Sequence, residues 1–167
     1  MFELLFPFFL LILFLLASTF IWRIKARKFI SSSTVASAYD AWTKDKLLER
    51  LWGEHIHLGF YPSGGRNIDF RKAKVQFVHE LVKWSGLDKL PKGSRILDVG
   101  CGIGGSSRIL AKYYGFNVTG ITISPAQVKR AKELTPDGVN CNFQVMDALD
   151  LKFEDGSFDA VWSVEAG

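Results

Sequence analysis

The stretch Ile96-Leu97-Asp98-Val99-Gly100-Cys101-Gly102-Ile103-Gly104-Gly105 constrains this chain more than any other. An apolar run long enough for one buried strand meets glycines at 100, 102, 104 and 105, and a helical pattern follows over Ser106–Tyr114. A backbone that turns sharply and lets a ligand lie against it needs glycine, because a Cβ would obstruct both.

The flanks extend the same alternation. Strand patterns at Arg95–Val99, Asn117–Ile123, Asn142–Val145 and Phe158–Val164 are separated by helix patterns at Ser106–Tyr114 and Pro125–Leu134. Strands that alternate with helices imply a parallel sheet with crossover helices, an α/β, Rossmann-like domain. Gly115 is placed to end one helix, and Ser124-Pro125 reads as the cap and first residue of the next. Upstream, Asp69–Ser85 offers a broad apolar face for one helix, closed by Gly86. Tyr39–Leu51 has the mixed spacing of a short helix, and Trp52–Tyr61 breaks periodicity and reads as a lid.

Before these, residues 4–17 are all apolar, and the apolar character resumes at Phe20-Ile21-Trp22. Roughly 20 residues of helix cross the ~30 Å hydrocarbon core of a bilayer, so residues 1–22 are expected to form a transmembrane anchor. Glu3 precedes the run and Arg23, Lys25, Arg27 and Lys28 follow it, the reverse of a cleavable leader. The positive-inside rule then puts the rest of the chain on the cytoplasmic face. Without those four bases and Glu3, the chain carries 17 basic against 16 acidic residues, so the net charge of +4 is local and does not point to nucleic acid. The expected divisions are an anchor at 1–22, a basic and polar linker at 23–38, a helical lid region at 39–90 and the ligand-binding domain at 91–167. Cys101 and Cys141 lack metal-ligand spacing, and no metal is expected.

Gly100, Gly102 and Gly105 also satisfy the dinucleotide pattern, so the glycines leave open a nicotinamide cofactor and S-adenosylmethionine. A nicotinamide site expects an acid on the ribose about 20 residues on, and Gly120-Ile121-Thr122-Ile123-Ser124 carries none. The run Leu97 to Gly104 resembles the first motif of class I methyltransferases, Asp147-Ala148 resembles their adenine-contacting position, and Phe153 to Ser163 resembles the motif on their fourth strand. The resemblance implies S-adenosyl-L-methionine as methyl donor, held by Asp98, Gly100, Cys101, Gly102, Gly104, Thr122, Asp147 and Ala148. Thr122 stands where many such enzymes have an acid, so either it and Ser124 give neutral hydrogen bonds or other groups hold the cofactor.

Further runs narrow the likeness: Tyr39-Asp40, Trp52 to Gly59, Gly104 to Arg108, Gly120 to Gln127 and Ser163 to Ala166 resemble the tocopherol and plastoquinone methyltransferases of photosynthetic organisms. That family implies C-methylation of a prenylated benzoquinol, with sterol or other small acceptors as the alternative. A base that draws a phenolic proton makes the ring more nucleophilic, and the candidates are His55, His57 and Glu165. A lipid membrane suits an acceptor with an isoprenoid tail. Class I methyltransferases have seven strands and four are readable before Gly167, so the chain alone is expected to be inactive. Two other classes stay open at this point, a non-catalytic membrane-anchored scaffold and a nicotinamide-dependent oxidoreductase.

Overall fold

The computed structural model describes residues 31–63 and 68–166. The expected anchor over residues 1–22 and the basic part of the linker lie outside the described residues. Among the described residues no helix is long and apolar enough to cross a membrane.

The strands are β1 (Arg95–Val99), β2 (Asn117–Thr122), β3 (Cys141–Val145) and β4 (Ala160–Trp162). All pair in parallel, in the order β3-β2-β1-β4. The helices are α1 (Ser32–Asp45), α2 (Leu47–Trp52), α3 (Phe70–Ser85), α4 (Gly105–Tyr114) and α5 (Pro125–Leu134), with a 3₁₀ turn at Leu87–Lys89. The chain therefore winds outward from β1 to β3 and returns to lay β4 on the other side of β1. That reversal opens a crevice at the carboxyl ends of β1 and β4, where doubly wound sheets bind ligands.

Local signals account for most boundaries. The Asp69 carboxylate accepts from the backbone N–H groups of Arg71 and Lys72 at 3.0 and 3.1 Å, and Gly86 closes α3 in the left-handed region at φ 73°. Ser124 Oγ accepts from Gln127 N at 3.1 Å and starts α5, with Pro125 as its first residue. Val78 and Val82 of α3 are fully buried and meet Ile96, Leu110, Phe116, Val118 and Trp162 in the main core.

Two expectations change. Residues 32–38, expected as linker, are the first half of α1. Val35, Tyr39 and Trp42 recur at helical spacing and line the cavity described below, and tertiary packing outweighs the indifferent propensity of the serines. Lys46 at φ 56° then breaks the expected single helix into α1 and α2. The fourth strand, expected over Phe158–Val164, is confined to Ala160–Trp162, because it pairs only with Ile96–Asp98.

Gly120 sits in β2 opposite both Asp98 and Phe143. A Cβ there would lie 2.8 Å from the Phe143 ring and 2.9 Å from Cys101 Cβ, inside van der Waals contact. Gly120→Ala is expected to cost about 1–3 kcal/mol, the range for overpacking a closed core, read as a lowered urea midpoint with unchanged slope.

Candidate functional site

A cavity of about 340 Å³ lies at the carboxyl ends of β1, β2 and β4. Its floor is the glycine turn with Asp98, one wall is Thr122, Asp147 and Ala148, and its roof is α1 with the segment from Gly53 to His57. Asp98, Gly100, Cys101, Gly102, Thr122, Asp147, Ala148, His55, His57 and Glu165, all singled out in the sequence, border this one space. Gly104 does not. A Cβ on it would collide with the Phe143 ring at 2.6 Å and Arg108 Nη1 at 2.8 Å, so its role is packing behind the turn.

Gly100, Gly102 and Gly104 all take positive φ, at 72°, 54° and 80°. At Gly102 a Cβ would meet nothing within 4 Å, because it would point into the cavity. The turn is held from behind by Gly100 N and Cys101 N, which donate to Ile121 O at 2.9 and 3.0 Å. No side chain caps α4, whose first residues Gly105 and Ser106 face the cavity. The N–H groups of a helix's first turn and its dipole together favour a negatively charged ligand group there.

Asp98 is almost fully buried, and burial pushes its carboxyl up to about 7 despite the hydrogen bond that Ser107 Oγ donates to Oδ2 at 2.5 Å. Burial also drives the Cys101 thiol far above its ordinary range, so it is a neutral group and not a nucleophile. Asp147 accepts from Leu149 N at 2.9 Å, and that bond, with one from Ser32, holds its carboxylate below the usual range.

Thr122 and Ser124, expected to face the ribose, are engaged elsewhere. Thr122 Oγ1 donates to Gln127 Oε1 at 2.7 Å and accepts from Ser124 N at 3.3 Å. Ser124 Oγ donates to Asp40 Oδ1 at 2.5 Å while accepting from Gln127 N. Both hydroxyls are therefore committed to the start of α5, whose Ala126 N also donates to Asp40 at 3.1 Å. The Ser124 hydroxyl holds the Asp40 carboxyl below its ordinary range.

The roof is fastened by charges that the sequence could not pair. Arg130 of α5 grips Glu49 of α2 with two bonds, at 2.6 and 2.9 Å. Arg108 of α4 reaches Glu54 at 2.6 Å and Ile103 O at 2.8 Å. Lys74 of α3, buried beneath the segment, donates from Nζ to His55 O at 2.7 Å and Trp52 O at 3.3 Å. Glu165, left-handed at φ 50°, accepts from Leu58 N at 3.1 Å. The partners that reach the roof segment stand between 19 and 107 positions away, and no periodicity marks them.

Inside that frame the three proposed bases come together. His55 Nδ1 lies 3.1 Å from His57 Nε2, and His57 Nδ1 lies 2.7 Å from Leu58 O. Burial pulls the imidazole of His55 down to about 3, with the charges of Arg108 and Lys74 adding to it.

Residues 96–166 match a family described as a methyltransferase domain. The chain is 62% identical over 147 residues to the 2-methyl-6-phytyl-1,4-hydroquinone methyltransferase of Synechocystis, an alignment that covers 88% of this chain and 46% of that protein. It is 43% identical over 131 residues to the chloroplastic tocopherol O-methyltransferase of Arabidopsis thaliana, covering 72% of this chain and 38% of that one. The solved structure of a geranyl diphosphate methyltransferase in complex with SAM superposes with a TM-score of 0.54 at 25% identity, over 65% of this chain and 50% of that one. The chain thus spans less than half the length of the curated relatives it matches.

Stability should follow the two buried groups in opposite directions. Asp98 is raised from 3.8, so its contribution is present at acid pH and lost as pH climbs to about 7. His55 is lowered from 6.5, so its contribution is present above that value and lost as pH falls toward 3. Relative to the parent, Asp98→Asn is expected to gain stability between pH 4 and pH 8, and His55→Gln to gain it as pH drops below 6. Urea midpoints measured across that range check both.

Proposed function

We propose that the protein, whose residues 96–166 match a methyltransferase-domain family, transfers a methyl group from S-adenosylmethionine to a ring carbon of a prenylated hydroquinol. The observation that carries the reading is the single cavity in which the glycine turn and the His55–His57 pair face one another. One side suits a nucleoside-bearing methyl donor and the other a phenolic acceptor.

The residues fit the donor. Gly102 leaves the turn open where a side chain would intrude, so a ligand can lie directly on the backbone. The uncapped start of α4 would take the donor's carboxylate, Asp98 its cationic group, and Asp147 with Ala148 after β3 the adenine edge. A carboxyl at about 7 ionises readily when a cationic group settles beside it. When bound, S-adenosylmethionine supplies an electrophilic methyl on a sulfonium. The chain's own contribution is to hold the acceptor ring in line with that methyl and to keep water out, which positioned reactants turn into rate.

For the acceptor, Tyr39, Trp42, Ile56 and Val164 line an apolar flank suited to an aromatic ring. His55, His57 and Glu165 stand at its polar end. Residues 1–22 would hold the protein in a membrane with residues 31 onward on the cytoplasmic side, which brings the cavity to an acceptor whose isoprenoid tail resides in lipid. The apolar run and the basic cluster after it support that placement. The end of β2 carries no acid of its own for a nicotinamide ribose, and the Asp40 carboxylate beside it is engaged by Ser124 and Ala126.

Titration calorimetry of the full chain with S-adenosylmethionine tests the reading. Gly102→Ala is expected to remain folded, at a cost of about 1–2 kcal/mol for its left-handed φ, and to bind at least tenfold more weakly because the new methyl enters the cavity. Equal affinity for parent and variant would remove the glycine turn from the donor site.

A further inference from the structure

The hydrogen bonds among the three candidate bases sort their roles. A carbonyl can only accept, so the 2.7 Å contact to Leu58 O places a hydrogen on His57 Nδ1. Burial lowers the pKa of His57, and Lys74 adds to it while the Leu58 bond and the Glu165 charge oppose it. A neutral His57 with its hydrogen on Nδ1 has a bare Nε2. That nitrogen, 3.1 Å from His55 Nδ1, can only accept, so His55 donates from Nδ1. His55 is itself kept neutral by burial, to which the charges of Arg108 and Lys74 add, and this leaves a lone pair on its Nε2.

That lone pair has no protein partner among the described residues, where Trp162 Nε1 is the one buried side-chain nitrogen or oxygen left without a bond. The Nε2 of His55 is therefore not sealed in protein, and the open space that His55 borders is the cavity. Its ring stands over the end of the glycine turn: a Cβ on Gly105 would fall 2.8 Å from His55 Cε1 and 2.9 Å from Nδ1. The backbone of His55 is pinned by Lys74 and its ring by the bond to His57 Nε2.

We propose that His55 is the catalytic residue that accepts a hydrogen bond from a phenolic hydroxyl of the acceptor through Nε2, and that His57 is a positioning residue, anchored on the Leu58 carbonyl, that holds His55 in this tautomer. The proposal rests on the methyl-transfer reading above. Glu165 acts one step further back, fixing Leu58 through its N–H. As a ring carbon bonds the methyl and the methyl–sulfur bond breaks, its electron pair stays on sulfur and the phenolic O–H becomes strongly acidic. The proton then passes to His55 Nε2. Loss of the ring-carbon hydrogen to water restores the aromatic ring, the oxygen recovers its proton from His55, and one proton is released overall. A neutral imidazole has its Nε2 free to accept, and it takes the proton once the ring has given up its electrons.

Nitrogen-15 NMR of the full chain, labelled at histidine, decides the tautomers. The chain has three histidines, His55, His57 and His79. His79, whose Nδ1 lies 2.8 Å from the Tyr114 hydroxyl, reports whether each variant remains folded. At neutral pH both His55 and His57 are expected to show hydrogen on Nδ1 and bare Nε2, and His55 to show no titration between pH 8 and pH 5. His57→Leu is expected to release His55 toward the Nε2–H tautomer, and His57→Gln, whose amide oxygen still accepts, to preserve it. A His55 that carries hydrogen on Nε2, or one whose spectrum is the same in the folded His57→Leu protein, would overturn the proposal.

The acceptor role has its own arm, with S-adenosylhomocysteine present and 2,3-dimethylhydroquinone as probe. The His55 Nε2 resonance should move with the hydroquinone and stay put with its dimethyl ether, which has no hydrogen to donate. An unmoved resonance in a protein that binds S-adenosylmethionine would defeat the role of His55 and leave methyl transfer standing. Absent S-adenosylmethionine binding would defeat methyl transfer, and the acceptor role with it, while the tautomers still report on His57.

Discussion

A buried ammonium holds this site together. Lys74 projects from α3 into the floor of the roof segment and ends on the carbonyl oxygens of Trp52 and His55. The Trp52 carbonyl ends α2 and that of His55 lies in a stretch without regular structure, so neither has a helix or ladder partner of its own, and an unpaired buried carbonyl costs about 1–3 kcal/mol. Lys74 itself needs acceptors to stay charged there, and burial already lowers its pKa. Each group supplies what the other lacks. The segment from Trp52 to Leu58 thus takes one path over the glycine turn, and the path sets the direction of both imidazoles.

The other attachments reinforce that geometry from different sides. Glu54 is drawn to Arg108 on the helix that follows the turn, Glu49 to Arg130 on the next helix, and Asp40 to the exposed start of the same helix. Arg108 is nearly buried and also bonds Ile103 O within the turn, so it ties roof and floor to one guanidinium. Its planar fork serves several acceptors at once in a fixed geometry that a compact ammonium does not match. The roof segment and the cofactor turn therefore move as a unit, and a change in either is felt by the other.

Much of the frame was legible in the sequence because it depends on local rules. Alternating apolar runs specified the strands, and glycines at 86 and 115 and Ser124-Pro125 marked helix ends, since such residues act through their own backbone angles or bonds to residues within one turn. The glycine turn was legible for the same reason. The residues 32–38 were not, because serines carry no helical signal and the helix there is made by the apolar residues beyond them packing on α5. Thr122 and Ser124 misled in another way: hydroxyls are versatile, and only the positions of Gln127 and Asp40 show where their bonds go.

The sequence by itself determined a parallel α/β sheet, the strand-turn-helix with its glycines, and the residue types the chemistry calls on. Each follows from properties a residue carries with it: branching, the absence of a Cβ, or a titratable group. The tertiary structure alone brought His55, His57 and Glu165 to one cavity and set which groups they bond, and it raised Asp98 to about 7 while taking His55 down to about 3. Those outcomes depend on burial and on partners up to 107 residues away. Proton positions and dielectric surroundings belong to a folded arrangement, and no reading of neighbours along the chain contains them.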